Sequence, residues 1–409
     1  MLNKIFESMK KQKKQVWVMY NVDDSDNYFC RYISDYISTN GIAILSKERI
    51  YVIAHELDNV SIKNIKEYNK FKGSIIIKIY KNSKELDGIV EEIIDDLKFP
   101  NEISLSYSTM NDKTTDKLSH GDYIYITKLM RKPYSKYSKK LKFSSAEKII
   151  YDVTSEKTEL QIKRLKLISE ITIKILEDTI SKIQIGMSEI EISELTRNIT
   201  HEIMQKNLNK NDIVEYDFAW DNCPIVLTGI NLTKGGHSLP SDKRLNVCET
   251  IYFDFGIRVK FTDGDVLNTD LQRMAYVLGK EEVKAPKNVM KVFNILINSI
   301  EEGIDAMKPG VKGYVVDNIV RQKILKEGYP DYNHATGHPV GNEVHDSGAI
   351  ISIKTSKRAS LELVENGVYT LEPRVNISNG GSIEEMIQVT KYGGIPICKP
   401  QKELYLIKP

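Results

Sequence analysis

The chain of 409 residues carries 58 Lys and Arg against 56 Asp and Glu, a formal net charge of +2, with 41% hydrophobic and 28% charged residues. That is the make-up of a folded chain of two or three domains, and so many charges in near balance exclude a surface built for nucleic acid or anionic membrane, partners met by excess basic charge. Four cysteines, Cys30, Cys223, Cys248 and Cys398, stand far apart with no C-x-x-C pair, which excludes a disulfide framework and a zinc ribbon.

The first residues are polar and run into Lys10-Lys11-Gln12-Lys13-Lys14, with no apolar core of a signal peptide and no membrane-length apolar run further on, so a cytoplasmic chain is expected. Segments 16–20 (VWVMY), 41–45 (GIAIL) and 50–54 (IYVIA) read as strands, the last two joined as a hairpin through Ser46-Lys47-Glu48-Arg49. A strand at 74–80, a helix at 88–97 and strands at 103–107 and 123–127 continue a mixed α/β domain, expected to occupy 1–145. The basic stretch 131–142 (RKPYSKYSKKLK) reads as a solvated linker into a second domain over 146–409.

Thr158-Glu159-Leu160-Gln161 and Ser188-Glu189-Ile190-Glu191 have the spacing of capping boxes, each opening a helix, with Gly186 making the turn before the second. A weak echo follows: Gly310-Val311-Lys312-Gly313 leads into a helical pattern, as Gly186-Met187 does, and Arg197 and Arg321 hold the same offset. The second domain is therefore expected to contain two similar α/β halves.

Three of the seven histidines, His334, His338 and His345, fall within twelve residues, interleaved with Gly337 and Gly341 that let backbone approach closely. Asp254 ends an apolar strand, and Asp270 follows sixteen residues later across a loop containing Asp263 and Asp265, so a hairpin would bring the two aspartates together. Glu372 and Glu384 lie in successive apolar strands, where a carboxylate is costly unless paired or bound to a cation. Four carboxylates and one imidazole suit two divalent ions such as manganese, cobalt, iron or zinc, a pair that activates water and polarises a carbonyl or phosphoryl oxygen for hydrolysis.

In order and local context, Asp254, Asp270, His338, Glu372 and Glu384 resemble the five ligands of the pita-bread metallopeptidases, the group of aminopeptidase P, prolidase and methionine aminopeptidase. The resemblance is carried by His334-x3-His338-x6-His345, Leu371-Glu372-Pro373 and Ile383-Glu384, and it implies an α/β (α+β) fold. Its catalytic domain would be a pita-bread with pseudo-twofold halves, preceded by a smaller creatinase-like N-terminal domain.

It further implies Asp254 on one ion, His338 and Glu372 on the other, and Asp270 and Glu384 bridging both, with manganese favoured. A hydroxide between the ions would attack the peptide carbonyl and Glu372 would carry a proton to the leaving amine. His345 would stabilise the oxyanion, His237 would contact substrate and His334 would line the pocket. The expected activity is removal of an N-terminal residue from short peptides, Xaa-Pro bonds favoured, by a homodimer with no nucleic-acid or membrane partner. The alternatives are a metal-free creatinase-like C–N hydrolase and an inactive pita-bread binding module. Three departures from the family pattern stand out: the long 261–268 loop, which leaves Asp265 as an alternative to Asp270; Ser382, where the family has an arginine that organises the proline-specific site; and Pro339 beside His338.

Overall fold

The computed structural model describes residues 1–22, 27–235 and 238–409. Contacts divide the chain into two compact units, Met1–Val153 and Thr154–Pro409.

The first unit contains helices α1 (Leu2–Lys11), α2 (Tyr28–Tyr32), α3 (Ser83–Asp96), α4 (His120–Lys136) and most of α5 (Glu147–Ser155). Its strands are β1 (Trp17–Val22), β2 (Asn40–Ser46), β3 (Arg49–His55), β4 (Ser74–Tyr80), β5 (Glu102–Leu105) and β6 (Lys142–Ser145), forming one sheet in the order β4-β3-β2-β1-β5-β6. The β2–β3 hairpin turns through Lys47 and Glu48, both with positive φ, the two-residue geometry that matches strand twist, here without glycine. The unit runs past residue 145 because Ile149, Ile150 and Val153 of α5 pack with Trp17, Phe29 and Val52 in its core.

Two expectations are corrected here. The segment 123–127 is helical, within α4: Ser119 caps its Asp122 amide, and Ile126, Met130 and Tyr134 are buried at helical spacing. The linker expected at 131–142 is instead the end of α4, a short turn and the start of β6. There Lys132 and Lys136 pair with Asp87 and Glu91 of α3, and Tyr134 donates to the Pro100 carbonyl at 2.6 Å.

The second unit opens with α6 (Glu159–Lys182) and α7 (Glu189–Asn207), each started by a complete capping box at Thr158 and Ser188. Strands β7 (Ile213–Phe218), β8 (Ile225–Thr228), β9 (Thr250–Phe255), β10 (Ile257–Phe261), β11 (Val266–Asn268) and β12 (Leu271–Val277) follow. Helices α8 (Lys287–Ala306) and α9 (Gly313–Lys326) come next. Last are β13 (Val368–Leu371), β14 (Arg374–Val375), β15 (Gly381–Ser382), β16 (Glu385–Thr390), β17 (Gly393–Pro396) and β18 (Tyr405–Ile407).

One apolar core gathers α6 and α7 with β9, β10 and β12, and the other gathers α8 and α9 with β13 and β16. The echo between them is physical. Gly186 and Gly310, with φ of 89° and 84°, turn the chain before α7 and α9. Arg197 of α7 lies 4.0 Å over the Phe218 ring and donates to the Cys223 carbonyl; Arg321 of α9 lies 4.1 Å over the Tyr332 ring and donates to the Tyr332 carbonyl.

The element that places the site is one long bent hairpin. Strands β9 and β10 form one arm, β11 and β12 the other, with antiparallel pairing along both halves. The bend falls at Gly256, where a Cβ would sit 2.0 Å from the Thr269 carbonyl oxygen, so the two arms meet there only through glycine.

Candidate active site

Asp254 of β9 lies opposite Gln272 of β12, and Asp270 stands two residues before Gln272, so all three side chains leave one face of the hairpin. Glu384 joins them through a backbone bridge to Gln272, with each amide donating to the other's carbonyl at 3.3 Å. Glu372 follows the last residue of β13, its amide bonded to the Thr336 carbonyl. His338 is bonded through its carbonyl to the Thr370 amide; the close approach of its segment to β13 requires Gly337, where a Cβ would lie 1.9 Å from the Thr370 oxygen.

These placements converge. His338 Nε2 lies 3.5 Å from Asp270 Oδ2, 3.7 Å from Glu372 Oε1 and 3.7 Å from Glu384 Oε1, while its Nδ1 faces the Pro339 carbonyl at 3.2 Å. Asp254, Asp270 and Glu384 form one close group, His338, Glu372 and Glu384 a second, and Asp270, His338 and His345 a third, the ligand atoms in each within 4.8 Å of one another. His345 is exposed, its ring 4.2 Å from that of His338.

Other candidates lie apart. Asp265 is at the hairpin tip, beside Arg164 at 3.5 Å and accepting from Gln161 and Asn342. His334 packs on Tyr332, with Nδ1 2.7 Å from the Ala335 carbonyl, and belongs to none of the three groups. His237 lies outside the described residues.

The donors around the cluster are few. Tyr252 OH donates to Asp254 Oδ2 at 2.9 Å, and Gln272 Nε2 reaches Asp254 Oδ2 and Glu372 Oε2, each at 3.3 Å. Asp270 Oδ1 and both carboxylate oxygens of Glu384 are buried with no hydrogen-bond partner among the described residues. Burial pushes the Asp270 carboxyl up to about 7. Burial first, then the charge of Asp270, holds Glu372 and Glu384 well above the usual carboxylate range. Bare oxygens of this kind are costly unless protonated or bound to a cation, and an oxygen-rich set with one imidazole fits divalent cations.

Sequence reasoning missed Tyr252, Gln272 and Arg374. Gln272 carries a signal, an uncharged polar residue two after Asp270 on the same strand face. Arg374 carries none, because its relevance lies in the strand facing it: in the β14–β15 ladder its partner is Ser382.

The model of metallopeptidase family M24 matches residues 163–391. An Xaa-Pro dipeptidase of Pyrococcus horikoshii is 27% identical over 285 residues, 69% of this chain and 72% of that protein. A peptidase of Staphylococcus saprophyticus is 26% identical over 254 residues, 61% of this chain and 65% of that protein. Among solved structures, the X-Pro aminopeptidase of Thermotoga maritima superposes with a TM-score of 0.70 at 20% identity, over 98% of this chain and 100% of that one.

Proposed function

The chain belongs to metallopeptidase family M24 and has its pita-bread fold, and on that footing we propose that it hydrolyses the first peptide bond of short peptides, Xaa-Pro bonds favoured. The ligands proposed are Asp254, Asp270, His338, Glu372 and Glu384, holding two divalent cations, with manganese favoured. The observation that carries the reading is the convergence of four carboxylates and one imidazole, three of their buried oxygens lacking any donor among the described residues. The relatives named above as Xaa-Pro peptidases support the substrate class.

Divalent cations bound there supply a nucleophile from water at neutral pH and polarise the scissile carbonyl. Glu372, its Oε2 steadied by Gln272, takes a proton and returns it to the leaving amine, a task suited to a carboxyl whose proton affinity burial has raised. His345, exposed beside His338, donates to the developing oxyanion. His334, which packs on Tyr332, is proposed to line the pocket, and His237, outside the described residues, is proposed to contact substrate. The first unit is proposed as a creatinase-like domain, and the enzyme as a cytoplasmic homodimer.

Titration of the full chain with manganese, followed by assay of Xaa-Pro dipeptides, longer Xaa-Pro peptides and N-terminal Met peptides, tests the reading. Uptake of two equivalents with chelator-sensitive cleavage of Xaa-Pro bonds is expected. A chain that takes up no manganese and cleaves none of the panel is instead an inactive module.

A further inference from the structure

Arg374 is among the largest fully buried side chains, 1% exposed, yet among the described residues it makes no direct ion pair, its charge reaching Glu372 only from a distance. Its Nε donates to Asn376 Oδ1 at 2.7 Å and its Nη2 to the Leu232 carbonyl at 3.2 Å; Nη1 is buried without a partner among the described residues. A desolvated guanidinium left this way is costly, and it persists where fixed negative charge stands nearby. Arg374 lies two residues from Glu372, and its Cζ is 4.7 Å over the Tyr252 ring, whose hydroxyl bonds Asp254.

The strand that holds Arg374 is itself anchored to β9. In the β14–β15 turn, Asn379 accepts from the Thr250 amide at 3.1 Å through its side chain and from the Thr250 hydroxyl at 3.3 Å through its carbonyl. Across the ladder, Ser382 spends its hydroxyl on the Pro373 carbonyl at 2.8 Å and offers no charge. The only cation in this ladder is therefore on the β14 side.

We infer that Arg374 is the positioning residue of the acidic cluster: from the position facing Ser382 it clamps the Tyr252 ring, and Tyr252 in turn fixes Asp254 for a divalent cation. At 1% exposure the guanidinium does not reach substrate; it acts through the phenol. The inference rests on the proposed metal centre, and its test separates the two.

The variants are R374M, R374K, Y252F, R374M/Y252F, R374S and R374S/S382R, all in the full chain. Manganese affinity of R374M and of Y252F is expected to fall about ten- to a hundredfold, the usual scale for residues that orient a ligand. The double variant should be no weaker than the weaker single one, because both act on Asp254 by one route. R374S/S382R should recover at least part of what R374S loses.

A guanidinium acting by charge alone would repel cations, so tighter manganese binding by R374M overturns the inference, as do unchanged binding and losses that multiply in the double variant. If R374M does not fold, the same comparison runs between R374K and Y252F, and R374K with wild-type affinity overturns the clamp. The same cycle read as thermal unfolding of metal-free protein requires no manganese: sub-additive shifts support the clamp and additive shifts overturn it. A wild-type chain that takes up no manganese refutes the metal centre while leaving that cycle to decide the clamp.

Discussion

Arg273 and Glu385 form a fully buried ion pair, 3.1 Å apart, with side chains 1% and 2% exposed. Arg273 Nη1 also donates to the carbonyls of Gln272 and Glu384, the two residues joined by the backbone bridge in the cluster. The pair therefore sets how far β12 stands from the segment that carries Glu384. Removing one partner strands the other in the interior: R273M is expected to cost about 3–5 kcal/mol. Urea unfolding of wild type and variant measures this; a loss below about 1 kcal/mol would show that the pair is dispensable.

Glu372→Gln keeps the shape of the side chain and a partner for Gln272 but removes the proton carrier. Turnover should fall by about 10²- to 10⁴-fold, the usual contribution of acid–base catalysis, with an unchanged circular dichroism spectrum. Steady-state assay on an Xaa-Pro dipeptide decides it, and residual activity within tenfold of wild type would remove Glu372 from that role.

The two candidate aspartates of the hairpin separate by geometry, and their variants should separate by measurement. D270N should abolish uptake of one or both manganese ions in equilibrium dialysis. D265N should leave uptake intact and lower stability by about 1–3 kcal/mol, because Asn keeps an oxygen for Gln161 and Asn342 but gives up the charge that strengthens those bonds and faces Arg164. The reverse pattern would move the metal centre to the hairpin tip.

Acidity acts oppositely on the fold and on metal uptake. Asp270 holds its proton to about pH 7 in the folded chain against an ordinary value of 3.8, so folding binds the proton more tightly than the unfolded chain does. Metal-free protein is therefore expected to lose stability as pH rises from about 4 to about 7. Over the same interval manganese should bind more tightly, because the ligand must shed that proton. Thermal melts in chelator and in manganese, taken across this interval, should diverge with rising pH; parallel curves would disprove the linkage.

Much of the placement was legible because it is local. The capping boxes at Thr158 and Ser188 and the turns at Gly186 and Gly310 are written in four-residue patterns that tertiary packing did not override. The helix over 120–136 was not, since Tyr123, Tyr125 and Thr127 alternate with apolar neighbours as a strand does, and the deciding burial of Ile126, Met130 and Tyr134 comes from contacts with other elements. The four carboxylates stood out as charges among apolar residues, and His338 as one of three histidines within twelve residues. Arg374 and the buried Lys157–Asp346 pair, 3.3 Å apart and 189 residues distant in sequence, did not, because each acquires its meaning from a partner on another strand or loop.

The bent hairpin has a consequence for how relatives are recognised. Asp254 and Asp270 are held together by register, not by the number of residues between them. The tip at 262–265, clasped by Arg164, is remote from the bend at Gly256. Residues added or removed in matched pairs along β10 and β11 lengthen or shorten the arms and leave the base unchanged. A search that fixes the interval between the two aspartates will therefore miss chains with the same centre, whereas one that requires a glycine two residues after the first and a polar residue two after the second follows what the backbone holds constant.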